Sequence, residues 1–298
     1  MCETRTPFSK GTKRYASGFS ATVLAIVVTG INPKRYNSMK RIGVFADFHC
    51  GHKSGLTPPD FWGGGRKIVD KMAERWSWFI NSIKVHGPFD AAIHNGDLVD
   101  GPGVKSGNET IMSLNQQTDA AAEIIRTIGA EENFLLFGTP IHAITGDGYE
   151  LERDVAKSVG SPIYGQIWLN VEGWILDIRH HPAGNSQVYP ATPLQKEWES
   201  NVRWAREGVQ EEADLIMRAH VHKSFQTGKP DVWQAIAIPA LQDFGGIYGR
   251  RLSNTVDFGW GTLDVMDKKK GMWPVWRTIM APRRKEAVLQ LSRQPNPA

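Results

Sequence analysis

The sequence predicts an α/β protein in which two packed mixed β-sheets are flanked by helices, in four layers ordered α/β/β/α. Two observations support this fold class. In the first half of the chain, apolar segments of strand length alternate with amphipathic helical segments. In the second half, the pattern changes to a hairpin, one helix and several strands, which supply the second sheet.

The first half contains three strand–helix pairs. The segment RIGVFAD at 41–47 is short and apolar, as expected for a buried strand, and apolar residues then recur at helical spacing from Ile68 to Ile83. Predicted strands cover residues 41–47, 91–96 and 133–138, and predicted helices cover 67–86, 113–128 and 150–158.

The second half is mostly β-structure. Segments 164–169 and 174–179 lie on either side of Val171-Glu172-Gly173 and predict a β-hairpin. A helix is predicted at 193–209 and a strand at 215–219. From 224 to 280 the pattern is all-β, with turn signals at 228–230, 245–246 and 268–271. We therefore predict a single domain over residues 39–282.

Charge is distributed unevenly along the 298 residues. Residues 1–38 carry 6 basic and 1 acidic residue, residues 39–267 carry 21 and 29, and residues 268–298 carry 8 and 1. An acidic body suits a carboxylate-rich site that attracts divalent cations. The basic extension 1–38 and the basic tail 283–298 could contact nucleic acid, but solvated, disordered tails are the commoner outcome.

The apolar run at 21–28 is too short to span a bilayer, so no membrane association is expected. A signal peptide is one interpretation of this run, and an extension ahead of a natural start at Met39 is the other. The chain has only two cysteines, Cys2 and Cys50, which favours a reducing compartment.

Four short clusters of potential metal ligands follow predicted strands. They are Asp47-Phe48-His49, Asn95-Gly96-Asp97, His180-His181-Pro182 and Ala219-His220-Val221-His222. The first two clusters alone are weak signals, the histidine pair before a proline is less easily dismissed, and His-x-His at a strand end is moderately specific. Because ligands of open α/β sheets gather at the carboxyl ends of strands, their shared placement is more specific than any one of them.

The mixture of aspartate and histidine suits Zn²⁺, Mn²⁺, Fe or Ni rather than Ca²⁺, which prefers oxygen ligands. Without cysteine ligands, a purely structural zinc site is disfavoured. The clusters hold more donors than one metal needs. Two metals about 3.5–4 Å apart that share one carboxylate would use them all.

The motifs D-x-H, G-D, a histidine and H-x-H, in this order over roughly residues 39–280, resemble the calcineurin-like metallophosphoesterase superfamily. The segment HCGHKSGLTPP after the first motif is most similar to phage and prophage-type members. The resemblance implies the metallophosphoesterase sandwich and two divalent metal ions (Mn, Zn, Fe, Ni or Mg). It implies that Asp47, His49 and His222 hold the first metal. Asp97 would bridge, and His180, with His181 as the alternative, would hold the second metal together with His220.

The chain departs from the family at the third motif, G-N-H-[DE]. The third strand ends in Gly138-Thr139-Pro140-Ile141-His142, so Thr139 stands at the position of the metal-binding Asn. A rival is Asp147, in Gly146-Asp147-Gly148. In the phosphoester hydrolysis that the resemblance implies, either His142 or His181 could protonate the departing alkoxide. Ala219 also replaces the usual glycine of the last motif.

The resemblance implies an enzyme that hydrolyses phosphoesters, most readily a phosphodiesterase acting on nucleic acid or nucleotides. The alternatives are a phosphomonoesterase and a non-catalytic, metal-bearing scaffold. We expect the protein in the cytoplasm of a bacterial or phage-infected host cell.

Overall fold

The computed structural model describes residues 39–62, 65–103, 109–184, 189–229, 231–243 and 256–282. The predicted extension 1–38, the tail 283–298 and the turn at 245–246 lie outside these residues. Within the described part of the chain, no helix is both long and apolar enough to cross a membrane.

The described residues form five α-helices and eleven strands, in an order close to the predicted one. The helices are α1 (Arg66–His86), α2 (Leu114–Ile128), α3 (Pro140–Ala143), α4 (Leu151–Val159) and α5 (Ala191–Arg206). The strands are β1 (Lys40–Phe45), β2 (Ala91–Asn95), β3 (Glu132–Leu136), β4 (Ile163–Tyr164), β5 (Gln166–Val171), β6 (Trp174–Arg179), β7 (Leu215–Arg218), β8 (Phe225–Lys229), β9 (Trp233–Ala237), β10 (Gly259–Val265) and β11 (Val275–Met280).

The strands form two mixed sheets. The first has the order β11-β10-β1-β2-β3-β4, with β1 to β4 parallel and β10 and β11 antiparallel. The second has the order β5-β6-β7-β9-β8, with β6, β7 and β9 parallel. The carboxyl ends of the parallel strands carry the four predicted clusters.

Alternating side chains of β1 show how the layers pack. Phe45 belongs to the apolar cluster between the first sheet and the outer helices, which includes Phe79 of α1. Val44 belongs to the cluster between the two sheets, with Met217 of β7. A third cluster packs Leu194 of α5 against the second sheet. The predicted four-layer arrangement of two packed sheets between helices is therefore confirmed.

The predicted start of the second helix has a clear cause in the sequence. The Ser113 hydroxyl accepts a hydrogen bond from the Gln116 backbone N–H, and the Gln116 side chain accepts one from the Ser113 backbone. This capping box satisfies two amides that have no partner within the helix. At the other end Gly129 adopts a left-handed conformation and ends the helix.

Two local predictions were wrong. The single strand predicted at 164–169 is divided at Gly165, because Ile163–Tyr164 pairs with β3 in the first sheet and Gln166–Val171 joins the second. Residue periodicity does not reveal that a chain changes sheets. The short helix Pro140–Ala143 was not predicted, because four residues are too few to show helical spacing.

Candidate metal centre

The predicted ligands share an unusual backbone conformation. Among the described residues, seven non-glycine residues have a positive φ angle, and five of these are predicted ligands. The five are Asp47 (53°), His49 (45°), Asp97 (50°), His220 (68°) and His222 (51°). This region is costly for most side chains, and such strain concentrates where side chains are held for function. The backbone therefore marks this edge of the two sheets as the candidate site.

A first group of donors combines the loop after β1 with the loop after β7. Asp47, His49 and His222 each place one donor atom within 4.8 Å of the others. His222 Nε2 lies 3.1 Å from Asp47 Oδ1, and His49 Nε2 lies 4.0 Å from it. Asp47 Oδ1 and both ring nitrogens of His49 are buried and make no hydrogen bond of good geometry. Because unpartnered buried polar atoms are costly, these atoms are suited to bind a cation.

Asp97 lies between this group and a second one. Its Oδ2 is 3.8 Å from His49 Nε2 and 3.1 Å from His180 Nε2. Its Oδ1 accepts a hydrogen bond from the Thr139 backbone N–H at 2.5 Å. A carboxylate with imidazole nitrogens on both sides has the placement that a ligand shared by two metals requires.

Two glycines allow the loops around Asp97 to pack closely. Gly96 has φ +74°, and a Cβ there would lie 2.6 Å from Gly138 Cα and 2.7 Å from His180 Nδ1. A Cβ at Gly138 would overlap the backbone nitrogen of Asp97. Only glycine fits at either position, so these two glycines allow the second and third motifs to lie this close together.

The second group of donors comes from the loops after β6 and β7. His180, His181 and His220 place donor atoms within 4.8 Å of one another. His180 Nδ1 donates to the Asn95 carbonyl oxygen at 2.6 Å, which directs its Nε2 at the carboxylates. His180 is buried and His181 is half-buried. Both histidines of the pair lie at the site, and His180 is the one beside Asp97.

Thr139 occupies the middle of the second group. Its hydroxyl lies 3.0 Å from Asp97 Oδ2 and 3.2 Å from His181 Nε2. It also lies 3.2 Å from His220 Nδ1 and 3.5 Å from His180 Nε2. The residue at the expected Asn position thus faces every donor of this group.

His142 reaches the site from α3. Its ring packs edge-on against His49, with centroids 4.6 Å apart. Its Nδ1 donates to the Asp100 carbonyl oxygen at 2.9 Å and lies 3.8 Å from the Asp100 carboxylate. His49, Asp97 and His142 form a further donor group. Asp147, by contrast, is exposed, accepts a hydrogen bond from Thr145 and joins no donor group of the described residues.

Burial and charge set the protonation of the cluster. Burial lowers the pKa of His49 and of His181, and lowers that of His220 to about 4. Burial opposes ionisation of Asp97, but His180 outweighs it and holds the pKa well below its usual range. Burial also opposes charge on His180, but Asp97 raises its pKa to about 10. Metal ligands must be ionised carboxylates and neutral imidazoles, so an ion held by His180 would displace the proton that this ring keeps beside Asp97.

Glu152 supports the site and was not singled out from the sequence. It is fully buried in α4. Its Oε1 accepts from the Leu98 backbone N–H at 2.8 Å and its Oε2 from the Gly138 N–H at 2.7 Å. These amides directly follow Asp97 and directly precede Thr139, so one carboxylate ties the two loops together. Burial, and then the charge of Asp97, raises the pKa of Glu152 to about 7.

We expect Glu152→Gln to lower the stability of the metal-free protein by an amount that depends on pH. The pKa of Glu152 is about 7 in the folded protein, against the ordinary value of 4.5. The folded protein therefore keeps a proton that the unfolded chain releases, and this contribution to stability is lost as pH rises through that window. Glutamine has no such proton. The stability deficit of Glu152→Gln should be about 2–3 kcal/mol smaller at pH 8 than at pH 5.

Urea unfolding at the two pH values measures this difference. Glu123→Gln is the matched control, because Glu123 lies on α2 with a side chain 47% exposed. The loss of unfolding free energy in Glu123→Gln should stay near zero at both pH values. An equal deficit for Glu152→Gln at pH 5 and pH 8 would contradict the assignment.

A second buried network supports the histidine loops. Arg218, the last residue of β7, is fully buried and donates to Glu197 Oε2 at 2.6 Å and to Asp177 Oδ2 at 2.9 Å. Glu197, on α5, also accepts from the backbone N–H of Ala183, just beyond the histidine pair. The network links α5, β6 and β7 beside His220.

The fold and the site define a class of protein: a four-layer α/β/β/α sandwich with a candidate centre for divalent metal ions at the strand ends. The donor set fits such ions, because carboxylates and imidazoles converge and Asp47 Oδ1 and the His49 ring nitrogens make no hydrogen bond of good geometry. Imidazole-rich sets of this kind suit zinc, iron and nickel.

No protein-family model matches the chain, and neither does any curated protein. Among solved structures, it is similar to zinc-complexed Vps29 from Entamoeba histolytica, with 13% identity, a TM-score of 0.41, and 80% of this chain and 98% of that chain covered. Vps29 from Cryptosporidium parvum is 11% identical, with a TM-score of 0.44, and the match covers 83% of this chain and 100% of that chain. A predicted phosphoesterase from Streptococcus pneumoniae is 11% identical, with a TM-score of 0.35, and the match covers 78% of this chain and 86% of that chain. Each TM-score lies below 0.5, so the function proposed below rests on this chain's own residues.

Proposed function

We propose that the chain is a metal-dependent phosphoester hydrolase with two metal positions, a phage- or prophage-type relative of the calcineurin-like metallophosphoesterases. One observation carries this proposal. Two buried carboxylates and six histidines from separate segments of the chain converge, and Asp47 Oδ1 and the His49 ring nitrogens make no hydrogen bond of good geometry. A cluster of buried acids and imidazoles at strand ends costs stability and is kept where it serves chemistry.

The ligand roles follow from the two donor groups. Asp47, His49 and His222 would hold one ion, and Asp97 would be shared. His180, His220 and the Thr139 hydroxyl face the other position. Divalent ions bound there would polarise phosphoryl oxygens and lower the pKa of a bound water towards neutrality. We leave the metal open among Mn, Zn, Fe, Ni and Mg.

His142 is our choice for the proton donor to the leaving group. Its Nδ1 is engaged by the carbonyl of Asp100 at 2.9 Å, and the Asp100 carboxylate lies beside it. This contact orients the ring and leaves Nε2 free to give a proton to a departing alkoxide. His181, also at the site, is the rival for this role.

His142→Gln should slow hydrolysis of an alkyl phosphodiester by about 10²–10⁴-fold, the usual contribution of a general acid. The same substitution should barely change the rate of hydrolysis of bis(p-nitrophenyl) phosphate, because nitrophenolate leaves without needing a proton. The kcat on both substrates measures the difference. His181→Gln is the comparison variant: a loss confined to the alkyl substrate in that variant, and absent from His142→Gln, would transfer the role to His181.

We favour phosphodiesters, in nucleic acid or nucleotides, as the substrate class. Support comes from the basic stretches in residues 1–38 and 283–298, which suit a polyanionic substrate. We place the activity in the cytoplasm of a bacterial or phage-infected cell, on cysteine usage. Rates on bis(p-nitrophenyl) phosphate and p-nitrophenyl phosphate, measured with each divalent metal, test the choice. Faster cleavage of the monoester would favour a phosphomonoesterase.

A non-catalytic metal-bearing scaffold is the second candidate, and one observation favours it. The third motif carries Thr139 and Pro140 where the family has its Asn and His. If the protein binds metal and yet shows no turnover on either substrate at any pH, the scaffold is the better description.

A further inference from the structure

We propose that His181 is itself a metal ligand, so that the second metal position has three imidazoles, from His180, His181 and His220, completed by the carboxylate of Asp97. We further propose that this position takes a zinc-class ion and rejects Mg²⁺. The inference rests on the proposed metal centre. It adds His181 as a ligand in place of the family's Asn, and it adds a preference for zinc-class ions.

The geometry of the three rings supports this ligand set. The centroids of His181 and His220 are 4.0 Å apart, and those of His180 and His181 are 5.1 Å apart with the rings perpendicular. Their donor nitrogens lie within 4.8 Å of one another. Nitrogens this close, on rings that approach from different directions, can bind one ion together.

The Thr139 hydroxyl has more polar neighbours than it can serve. A hydroxyl donates one hydrogen bond and accepts at most two. Four donor or acceptor atoms lie 3.0–3.5 Å from it, three of them imidazole nitrogens. One hydroxyl cannot satisfy all four, whereas a cation among them would bind every lone pair that faces it. The convergence therefore indicates a metal position that has Thr139 at its side.

The backbone of His181 is held so that its ring faces this point. Arg179 Nε donates to the His181 carbonyl oxygen at 3.1 Å, and the guanidinium pairs with Glu197 at 3.2 Å. Pro182 follows and restricts the chain. Since His181 is only half-buried, the hydrophobic core does not require its ring to point inward.

The chemistry of the set determines the metal class. Mg²⁺ demands oxygen ligands and retains its water, while imidazole suits zinc, nickel, copper and iron. Three imidazoles and one carboxylate are therefore a poor site for Mg²⁺. The neighbouring position, with Asp47 and Asp97 as well as two histidines, is richer in oxygen.

Isothermal titration of the metal-stripped, full-length protein with Zn²⁺, and separately with Mg²⁺, tests the proposal. We expect wild type to bind two Zn²⁺ ions, and Mg²⁺ not to compete for the second. His181→Ala should bind one Zn²⁺ with unchanged affinity and the other more than about 100-fold more weakly, beyond the usual effect of losing an outer-sphere partner. Retention of the first ion shows that the variant is folded. If the alanine variant does not fold, His181→Gln takes its place.

His86→Ala is the matched control, because His86, the last residue of α1, belongs to none of the donor groups among the described residues. It should keep both zinc ions. Two ions bound at wild-type affinity in His181→Ala, loss of the second ion in His86→Ala, or displacement of both ions by Mg²⁺ would each overturn the proposal. Binding and turnover are read separately, so a protein that binds metal as described and hydrolyses nothing refutes only the enzymatic function.

Discussion

Replacing Asp97 with asparagine is expected to lower kcat by at least about 10³-fold, the largest functional effect of any single change at this site. Asp97 Oδ2 lies 3.8 Å from His49 Nε2 and 3.1 Å from His180 Nε2, so one carboxylate serves both donor groups. Loss of its charge weakens both metal positions, and metal ions contribute several kcal/mol to such reactions. Asparagine tolerates the positive φ angle, so the backbone should be kept.

The measurement is kcat on bis(p-nitrophenyl) phosphate at saturating metal, with thermal unfolding as the check on folding. Asp231→Asn is a matched control, since Asp231 is exposed and has φ 59°. It lies in the turn before β9 and belongs to no donor group of the described residues. It should keep wild-type activity. Activity within tenfold of wild type in Asp97→Asn would show that Asp97 does not bridge two ions.

Arg218→Met is expected to have the largest effect on stability, about 3–5 kcal/mol. The guanidinium is fully buried and donates to both Glu197 and Asp177, which raise its pKa against the effect of burial. Methionine is of similar volume but removes the counter-charge of buried Asp177, and it leaves Glu197 with the partly exposed Arg179 at 3.2 Å as its cation. Urea unfolding of the metal-free protein measures the loss.

Two comparisons make this prediction specific. Arg126→Met, at a side chain 49% exposed, should change stability by less than about 0.5 kcal/mol. Adding Asp177→Asn to Arg218→Met removes the carboxylate charge that has lost its cation and should recover part of the loss. An Arg218→Met variant as stable as the Arg126→Met control would refute the role given to the network.

The fold could be predicted from the sequence because each element carries its own local signal. Apolar segments before Asp47 and Asp97 indicated buried strands, and apolar residues at helical spacing from Ile68 to Ile83 indicated a helix. The division at Gly165 could not be predicted, because it depends on which sheet each half joins and both halves have strand-like sequence. The helix that carries His142 could not be predicted either, because four residues are too few to show the 3.6-residue spacing of apolar side chains.

The candidate site could be predicted where the ligands follow strands directly, as Asp47, His49 and His220 do. The supporting residues could not. Glu152 lies in a predicted helix beside Leu151 and Val155, and nothing in the sequence shows that it faces backbone amides of two distant loops. Arg218 offered a weak signal, as a charge within the apolar segment LIMRA, but its partners on β6 and α5 are tertiary contacts.

The measurement that tests the central claim most directly is hydrolysis of bis(p-nitrophenyl) phosphate by the chelator-treated protein as a divalent metal is added back. Elemental analysis of the same samples gives the bound ions per chain. We predict no turnover in the stripped protein and activity that rises until two ions are bound. Undiminished turnover without metal, or two bound ions with no turnover in the presence of Mn²⁺, Zn²⁺, Fe²⁺, Ni²⁺ or Mg²⁺, would contradict a metal-dependent phosphoester hydrolase.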